Sequence, residues 1–284
     1  MTPISTQQQR RKVELVVLSD VHLGTYGCHA EELCNYLASV LPETLVLNGD
    51  IIDGWQFSKR YFPPYHMQVI MEIMNLMTLG TKVHYITGNH DEMLRRFDGF
   101  GMENFIISNK LILELGSQKA WIFHGDVFDV TMKNSRWLVK LGSVSFDMLI
   151  LLNRFVNSVY SRLGKGRISL SKKIKNSVKS AVSFISDFEN TCASIAISQG
   201  YDYVVCGHIH HPEIKKIGGH HGAVLYLNSG DWIENLTSLE YDNGKWNLYH
   251  YNDADYAGEK IVNFETPKSI LMKLVREFDE IKTA

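Results

Sequence analysis

The sequence predicts an α/β fold in which two β-sheets pack as a sandwich, with helices on the outside and one helical insertion. Three observations support this prediction. Apolar runs alternate with segments of helical periodicity in the first half of the chain, strands joined by turns dominate the last third, and polar clusters follow five of the apolar runs. The 284 residues carry a formal net charge of −2, so the bulk composition is that of a globular chain and gives no indication of a nucleic-acid partner.

The first elements alternate between strand and helix. Continuous apolar runs predict buried strands, and apolar residues repeated on one helical face predict helices. These patterns place strands at 13–18, 44–47 and 82–86 and helices at 30–40 and 67–79. Further strands are predicted at 111–115, 120–123, 203–206, 223–227, 238–241 and 246–249. The last two flank Asp242-Asn243-Gly244-Lys245, which is a strong hairpin signal.

Residues 131–198 interrupt this alternation, and two long helices are predicted there, at 134–162 and 169–198. Between 131 and 190, eleven lysines and arginines stand against three acids, a net charge of +8 in an otherwise acidic chain. The apolar stretches of this segment are far shorter than the roughly 18 residues that cross a bilayer. It is therefore predicted to be a basic amphipathic lid that lies on a membrane surface or closes over an anionic, greasy ligand. The alternative is that its apolar face packs on the core and its lysines face water.

The chain accordingly divides into a core, an insertion and two ends. The core is predicted at 13–130 and 199–252, the lid at 131–198, and terminal segments at 1–12 and 253–284. Four cysteines without C-x-x-C spacing indicate reduced thiols. The first apolar run is too short for a signal peptide, so we expect a cytoplasmic protein, peripheral at the inner membrane face if the lid binds lipid.

Five polar clusters each follow a predicted strand. They are Asp20-x-His22, Gly49-Asp50-x-x-Asp53, Gly88-Asn89-His90-Asp91, His124-Gly125-Asp126 and Gly207-His208-x-His210. Loops past the carboxyl ends of strands are where ligands collect in α/β sheets. The clusters combine oxygen and imidazole donors without cysteine, which suits Mn²⁺, Fe or Zn²⁺ held for hydrolysis. Each cluster alone has an ordinary explanation as a turn or strand end, but together they predict a two-metal phosphoester hydrolysis site.

The positions within the clusters suggest a role for each donor. Residues two apart in an extended segment point the same way, so each D-x-H or H-x-H pair can reach a shared ion. Asp50 follows a glycine and is the natural bridging carboxylate, and Asn89 can offer its amide oxygen to the second ion. His90 is expected to face the substrate as a general acid, with Asp91 holding its protonation state. Four more residues are candidates for orienting the ligands or lining the substrate path: Asp53, Trp55, Asp126 and Asp231.

The order of the clusters resembles the calcineurin-like metallophosphoesterase family, whose motifs are D-x-H, G-D-x-x-D, G-N-H-[DE], H and G-H-x-H. The resemblance covers residues from about 14 to 250. It implies two divalent ions, Mn²⁺ in the first place with Fe or Zn²⁺ as alternatives, and His90 as the acid. One ion would be held by Asp20, His22, Asp50 and His210, and the other by Asp50, Asn89, His124 and His208. Such ions turn a bridging water into hydroxide and neutralise charge on the phosphoryl oxygens.

Within that family, the chain resembles the branch of UDP-2,3-diacylglucosamine pyrophosphatases of lipid A synthesis. The segments that carry this resemblance are 20–24, 48–55, 124–126, 207–212 and 228–232. The basic insertion is also similar to the lipid-binding cap of that branch, which implies a nucleotide-sugar lipid as substrate. The branch has G-N-R-D where this chain has His90. Two alternatives stay open, a phosphodiesterase or phosphatase acting on a soluble nucleotide and a non-catalytic scaffold on the same fold.

Overall fold

The fold consists of four layers in the order helix, sheet, sheet, helix. The computed structural model describes residues 10–55, 61–128, 170–219 and 222–256, with the backbone alone for 170–181. In chain order the elements are β1 (Arg11–Leu18), α1 (Ala30–Ser39), β2 (Val40–Asn48), α2 (Pro64–Thr78), β3 (Lys82–Ile86), β4 (Gly101–Met102), β5 (Phe105–Ser108), β6 (Leu111–Leu115), β7 (Gln118–Ile122), α3 (Leu170–Ser198), β8 (Tyr203–Cys206), β9 (Glu213–Gly219), β10 (Gly222–Asn228), β11 (Thr237–Asp242) and β12 (Lys245–His250). Short 3-10 helices occupy Glu92–Phe97, Asp126–Phe128 and Asp253–Tyr256.

Two mixed sheets form the inner layers. The first has the order β12-β11-β1-β2-β3-β5-β4, and the second has the order β6-β7-β8-β10-β9. Strands β1, β2, β3 and β5 are parallel to one another, as are β7, β8 and β10. Parallel strands end at the same edge of their sheet, so the loops after β1, β2 and β3 of the first sheet lie side by side, as do those after β7 and β8 of the second.

The alternation of side chains along β1 shows why these runs are apolar throughout. Leu15 and Val17 pack between the two sheets, whereas Val16 and Leu18 pack under α1 and α2. Successive residues of a strand point to opposite faces, and both faces of this strand are covered. The predicted two-sheet α/β sandwich is thus confirmed.

Helices α1 and α2 cover the outer face of the first sheet close to their predicted positions. Pro64 occupies the first turn of α2, where its missing N–H costs nothing, and Gly80 follows the helix with a φ of 102°. The strand after α1 starts earlier than predicted, because residues 40–42 already pair with β1. Strands β4, β5 and β9 were not predicted from the sequence. Strand β5 has only four residues, and β9, with exposed Lys215 and Lys216, lacks a clear apolar pattern.

Helix α3 corresponds to the second predicted helix of the insertion, and the first, at 134–162, lies outside the described residues. Phe188, Cys192 and Ala196 of α3 are buried against the second sheet, and Glu189 pairs with Lys215 of β9 at 2.7 Å. The end of the predicted lid is therefore a layer of the core, while the boundary between core and lid stays a prediction. Among the described residues, we find no helix with the length and apolar character needed to cross a bilayer.

Candidate metal centre

The loops after β1, β2, β3, β7 and β8 meet at the carboxyl edge of the two sheets and bring donor atoms into three groups. They are Asp20 with His22 and His210, Asp50 with His124 and His208, and His22 with Asp53 and His90. Within each group the donor atoms lie within 4.8 Å of one another. Such spacing allows the donors of one group to reach a shared ion, so the structure assembles residues that are up to 190 positions apart in the chain.

The first group centres on Asp20, whose carboxylate is fully buried. Its Oδ1 lies 3.1 Å from Nε2 of His210, and its Oδ2 accepts a hydrogen bond from the backbone N–H of His208 at 2.9 Å. On the other side of the His210 ring, Nδ1 lies 3.8 Å from Asp231, whose Oδ1 accepts backbone hydrogen bonds from 233–235. Asp231 thus lies beside the His210 ring, and its role in orienting that ring stays a prediction.

The second group centres on Asp50. Its Oδ2 lies 3.2 Å from Nε2 of His124 and 4.0 Å from Nε2 of His22, which belongs to the first group. Its Oδ1 accepts a hydrogen bond from the backbone N–H of His90 at 2.8 Å. The Nδ1 of His124 donates to the carbonyl oxygen of Asn48 at 2.8 Å, which leaves Nε2 as the donor that faces Asp50. One carboxylate therefore faces both groups.

Among the candidate ligand atoms that are buried without a hydrogen-bond partner in the described part of the chain are Oδ1 of Asn89 and Nε2 of His22. A buried polar atom left unpaired costs free energy, and such atoms in native proteins usually have an unseen water or ion as a partner. An amide oxygen, imidazoles and carboxylates are suitable ligands for Mn²⁺, Fe or Zn²⁺. The residues of the site thus fit a pair of divalent cations.

The backbone of the site is held in an uncommon conformation. Eight non-glycine residues of the described chain have a positive φ. Five of them belong to the groups around Asp20 and Asp50: Asp20, His22, Asp50, His208 and His210. Their φ values lie between 51° and 68°, in the left-handed region that most residues avoid. Such conformations persist only where the surroundings enforce them, and they concentrate at functional sites.

Gly88 sits so close to Asp50 that a larger residue would not fit. A Cβ at this position would lie 2.2 Å from Oδ1 of Asp50. We expect Gly88→Ala to displace that carboxylate, to lower the free energy of unfolding by about 1–3 kcal/mol, and to reduce the stabilisation that Mn²⁺ provides. Thermal unfolding with and without Mn²⁺ measures both effects. Gly218→Ala is the control, because its Cβ would meet nothing within 4 Å. Wild-type stabilisation by Mn²⁺ in Gly88→Ala would contradict this expectation.

The acidic and basic members of the site shift one another's pKa values. Burial favours the neutral form of Asp50, but the neighbouring His124 outweighs burial and lowers the pKa of Asp50 to about 2. Burial likewise opposes a charge on His210, but Asp20 outweighs it and raises the pKa of His210 to about 9. Without cations, the buried carboxylates therefore favour the protonated forms of His124 and His210. A cation that binds here takes the place of those protons.

Asp53, and not Asp91, contacts the ring of His90. The Oδ2 of Asp53 lies 3.0 Å from Nδ1 of His90 and 3.3 Å from Nδ1 of His22. Burial lowers the pKa of His90, but the hydrogen bond with Asp53 outweighs it, and the net effect is to raise this pKa. Asp91 points away into the loop, where it accepts hydrogen bonds from the backbone of Gly88 and Ile51 and from the Tyr85 hydroxyl. The role suggested for Asp91 at His90 is thus corrected.

Trp55 and Asp126 are the other two residues that the sequence suggests for orienting ligands or lining the substrate path. Trp55 is exposed, and its ring centroid lies 4.2 Å from that of His90, so it borders the site. Asp126 does not orient His124 by a hydrogen bond, since Nδ1 of that histidine already donates to a carbonyl oxygen. Asp126 pairs instead with Arg95 at 2.5 Å and links the loop after β7 to the loop after β3.

Sequence reasoning missed residues that support the site from other parts of the fold. The Nδ1 of His66, in α2, accepts a hydrogen bond from the backbone N–H of Gly24 at 2.8 Å. Ser19 and Ser229 share a buried hydrogen bond of 2.6 Å that joins the loop after β1 to the loop after β10. These contacts join distant positions, and no local pattern in the sequence could have indicated them.

The chain is similar to known proteins that are described as phosphoesterases or hydrolases. Residues 13–212 match the family profile described as calcineurin-like phosphoesterase. The UDP-2,3-diacylglucosamine hydrolase of Aliivibrio fischeri (strain MJ11) is 22% identical over 244 residues, covering 83% of this chain and 97% of that protein. The protein of the same name from Nitrosococcus oceani is 22% identical and covers 78% of this chain and 88% of its own length. A solved phosphoesterase from E. coli is 16% identical, with coverage of 84% and 93% and a TM-score of 0.42.

Proposed function

The chain belongs to the calcineurin-like phosphoesterase family, and on that premise we propose that it uses two divalent ions to cleave the phosphoanhydride bond of a nucleotide-sugar lipid. Its class, a metal-dependent phosphoester hydrolase, follows from the family and from its hydrolase relatives. The observation that carries the two-ion part of the proposal is the convergence of carboxylate and imidazole donors into adjoining groups, with the buried Asp50 close to both His124 and His22.

In the proposed centre, Asp50 would contribute to both ions. The full ligand sets would be Asp20, His22, Asp50 and His210 for one ion and Asp50, Asn89, His124 and His208 for the other. When bound, the ions would neutralise charge on the phosphoryl oxygens and lower the pKa of the attacking water. His90 is the proposed general acid for the leaving oxygen. Asp53 engages Nδ1 of this histidine, which leaves Nε2 as the atom that can donate the proton.

The proposed substrate resembles UDP-2,3-diacylglucosamine, and two observations support it. The relatives at 22% identity are named as hydrolases of this compound. The insertion is basic, and α3, with which it ends, passes close to the site, since the buried ring of Phe188 lies 6.4 Å from the ring of His208. A lid that leads into α3 would lie over the proposed ions and bring cationic and apolar residues to a lipid-linked anion. We place this activity at the inner face of the cytoplasmic membrane, with Mn²⁺ as the first candidate metal.

The proposal is tested by offering the Mn²⁺-loaded protein UDP-2,3-diacylglucosamine in mixed micelles and measuring the release of UMP. Bis(p-nitrophenyl) phosphate, which needs only the metal centre, reports separately on phosphoester hydrolysis. We expect the lipid to be cleaved with a far higher kcat/KM than UDP-glucose, which lacks the acyl chains. Activity on the aryl ester without activity on the lipid would reject the substrate and keep the hydrolase.

One observation favours a second substrate class, a soluble nucleotide. The UDP-2,3-diacylglucosamine branch carries the motif G-N-R-D, and this chain has His90 at the position of the arginine. The side chain of His90 is one-fifth exposed and lies beside the donor groups. An imidazole can transfer a proton at neutral pH, whereas an arginine cannot. Hydrolysis of a soluble substrate with a poor leaving group needs such a proton donor. Comparable kcat/KM values for UDP-glucose and the lipid would favour this alternative.

The lid predicts a dependence on membrane charge. Reversing the charge of Lys172, Lys173 and Lys175 is expected to weaken binding to anionic vesicles, because each cation near such a surface contributes about 1 kcal/mol. Their side chains lie outside the described residues, so this expectation rests on the sequence alone. Vesicle flotation at two salt concentrations measures it. Reversing the exposed Lys82, Lys119 and Lys216 gives a control with the same change in net charge. Equal losses in both triple variants would argue against a lid that binds membranes.

A further inference from the structure

A cavity of about 300 Å³ lies beside the loop that carries His124. The residues of its wall that matter here are Arg95, Lys110, Trp121, Phe123 and Asp126. Its volume is at the lower end of the range for small-molecule sites. His124 also lines it, so an occupant of the cavity would adjoin the second group of metal donors. None of the proposed catalytic steps uses this space.

The inner wall of the cavity is flat and aromatic. The rings of Trp121 and Phe123 stack with centroids 4.1 Å apart and an angle of 22° between planes. Tyr201 stacks further along on Trp121 at 5.8 Å, and Phe123 is buried. Packing on several sides holds these rings in place before any ligand arrives. Phe123 and Tyr201 already stack on Trp121, so a planar heterocycle would pack against the part of the indole that borders the cavity, and the fixed ring would lose no side-chain freedom in doing so.

The rest of the wall carries more positive than negative charge. Arg95 pairs with Asp126, and its Nε is buried with no hydrogen-bond partner within the described residues. Lys110 is exposed and forms no ion pair in the part of the chain that the structure describes. Two cations therefore face one carboxylate. Arginine and lysine in this arrangement bind phosphate oxygens well, whereas burial against an acyl chain would leave them without partners.

We propose that this cavity binds the nucleoside 5′-phosphate part of the substrate, with the base against Trp121 and the phosphate oxygens near Arg95 and Lys110. The inference rests on the proposed function, because only a nucleotide-containing substrate would use such a site. It adds a specificity element that lies outside the proposed metal ligands and His90. It also accounts for the aromatic stack and the surplus of cations in one place.

The test is direct binding of UMP to the full-length, Mn²⁺-loaded protein, measured by calorimetry. Ribose 5-phosphate is the matched probe, because it offers the same phosphate to the metal ions but has no base. We expect UMP to bind about tenfold more tightly, the size of effect that one stacked base provides. Equal dissociation constants for the two probes, or no binding of UMP, would overturn the proposal.

Two variants locate the binding site. Lys110→Glu and Trp121→Leu should each raise the dissociation constant of UMP by about tenfold, as expected for loss of a charge-assisted or a stacking contact. Lys119→Glu, an exposed lysine on β7 outside the cavity, carries the same charge change and should leave UMP binding unaltered. Trp121→Leu also alters packing. If that variant fails to fold, Lys110→Glu, which changes an exposed residue, tests the location of the site by itself. Equal effects of Lys110→Glu and Lys119→Glu would overturn the assignment to this cavity.

These outcomes are separable from those of the proposed function. Base-dependent UMP binding that requires Lys110, in a protein that does not cleave UDP-2,3-diacylglucosamine, would support the cavity and reject the lipid substrate. Cleavage of the lipid by a protein that binds UMP and ribose 5-phosphate equally would support the function and reject the cavity.

Discussion

Asp50→Asn is expected to abolish phosphoester hydrolysis. Removal of a residue that only supports a metal ligand lowers activity by up to roughly 100-fold, and the loss of kcat/KM should be larger here because a proposed ligand itself is changed. The carboxylate of Asp50 lies 3.2 Å from His124 and 4.0 Å from His22, so it is placed to serve both ions. A carboxylate shares its negative charge between two oxygens and can bridge two cations. An amide is a weaker ligand, because it is neutral and has a single oxygen. Metal content by elemental analysis and kcat/KM on bis(p-nitrophenyl) phosphate are the measurements.

The fold should survive this substitution, because an asparagine can still accept the hydrogen bond from the backbone N–H of His90. Circular dichroism should therefore match the wild-type spectrum. Asp242→Asn, in the hairpin between β11 and β12, is the matched control and should leave metal content and turnover unaltered. An Asp50→Asn protein that binds two ions and turns over at a near-normal rate would show that the bridging assignment is wrong.

His90→Ala is expected to lower kcat by about 10²- to 10⁴-fold on alkyl phosphodiesters, the usual contribution of a general acid. His90 lies at the rim of the donor groups with Asp53 at its Nδ1, so its loss removes the proton donor and leaves the proposed ligands in place. Metal content should therefore stay near that of the wild type. The loss should be much smaller on a nitrophenyl ester, because a leaving group of low pKa departs without a proton.

His250→Ala, an exposed histidine on β12, controls for the substitution itself and should have no effect on either substrate. The ratio of the two losses is the informative quantity. Equal losses on alkyl and nitrophenyl esters would make His90 a residue that binds the substrate, and its contact with Asp53 would then serve to position the ring. A loss of metal content would instead place His90 among the ligands.

Much of the fold is readable from the sequence because its signals are local. The buried parallel strands appear as continuous apolar runs, since both of their faces are covered, and Gly80 marks the end of α2. Strand β9, at the edge of the second sheet and with exposed Lys215 and Lys216, has no continuous apolar run and leaves no such signal. The clusters after five strands were also local patterns, and the parallel pairing of β1, β2 and β3 brings three of them to one edge.

The sequence by itself determined which donors exist, Asp50, His124 and His210 among them, and that they follow strands; the tertiary structure decided which of them meet and what each contacts. Adjacency in sequence suggested Asp91 as the partner of His90, but Asp53 holds that place, since side-chain directions depend on loop dihedrals that the neighbouring loops enforce. The same holds for the pairing of Asp126 with Arg95 from another loop. A hydrogen-bond partner is fixed by where two loops converge, and that depends on the packing of the sheets and not on any local pattern.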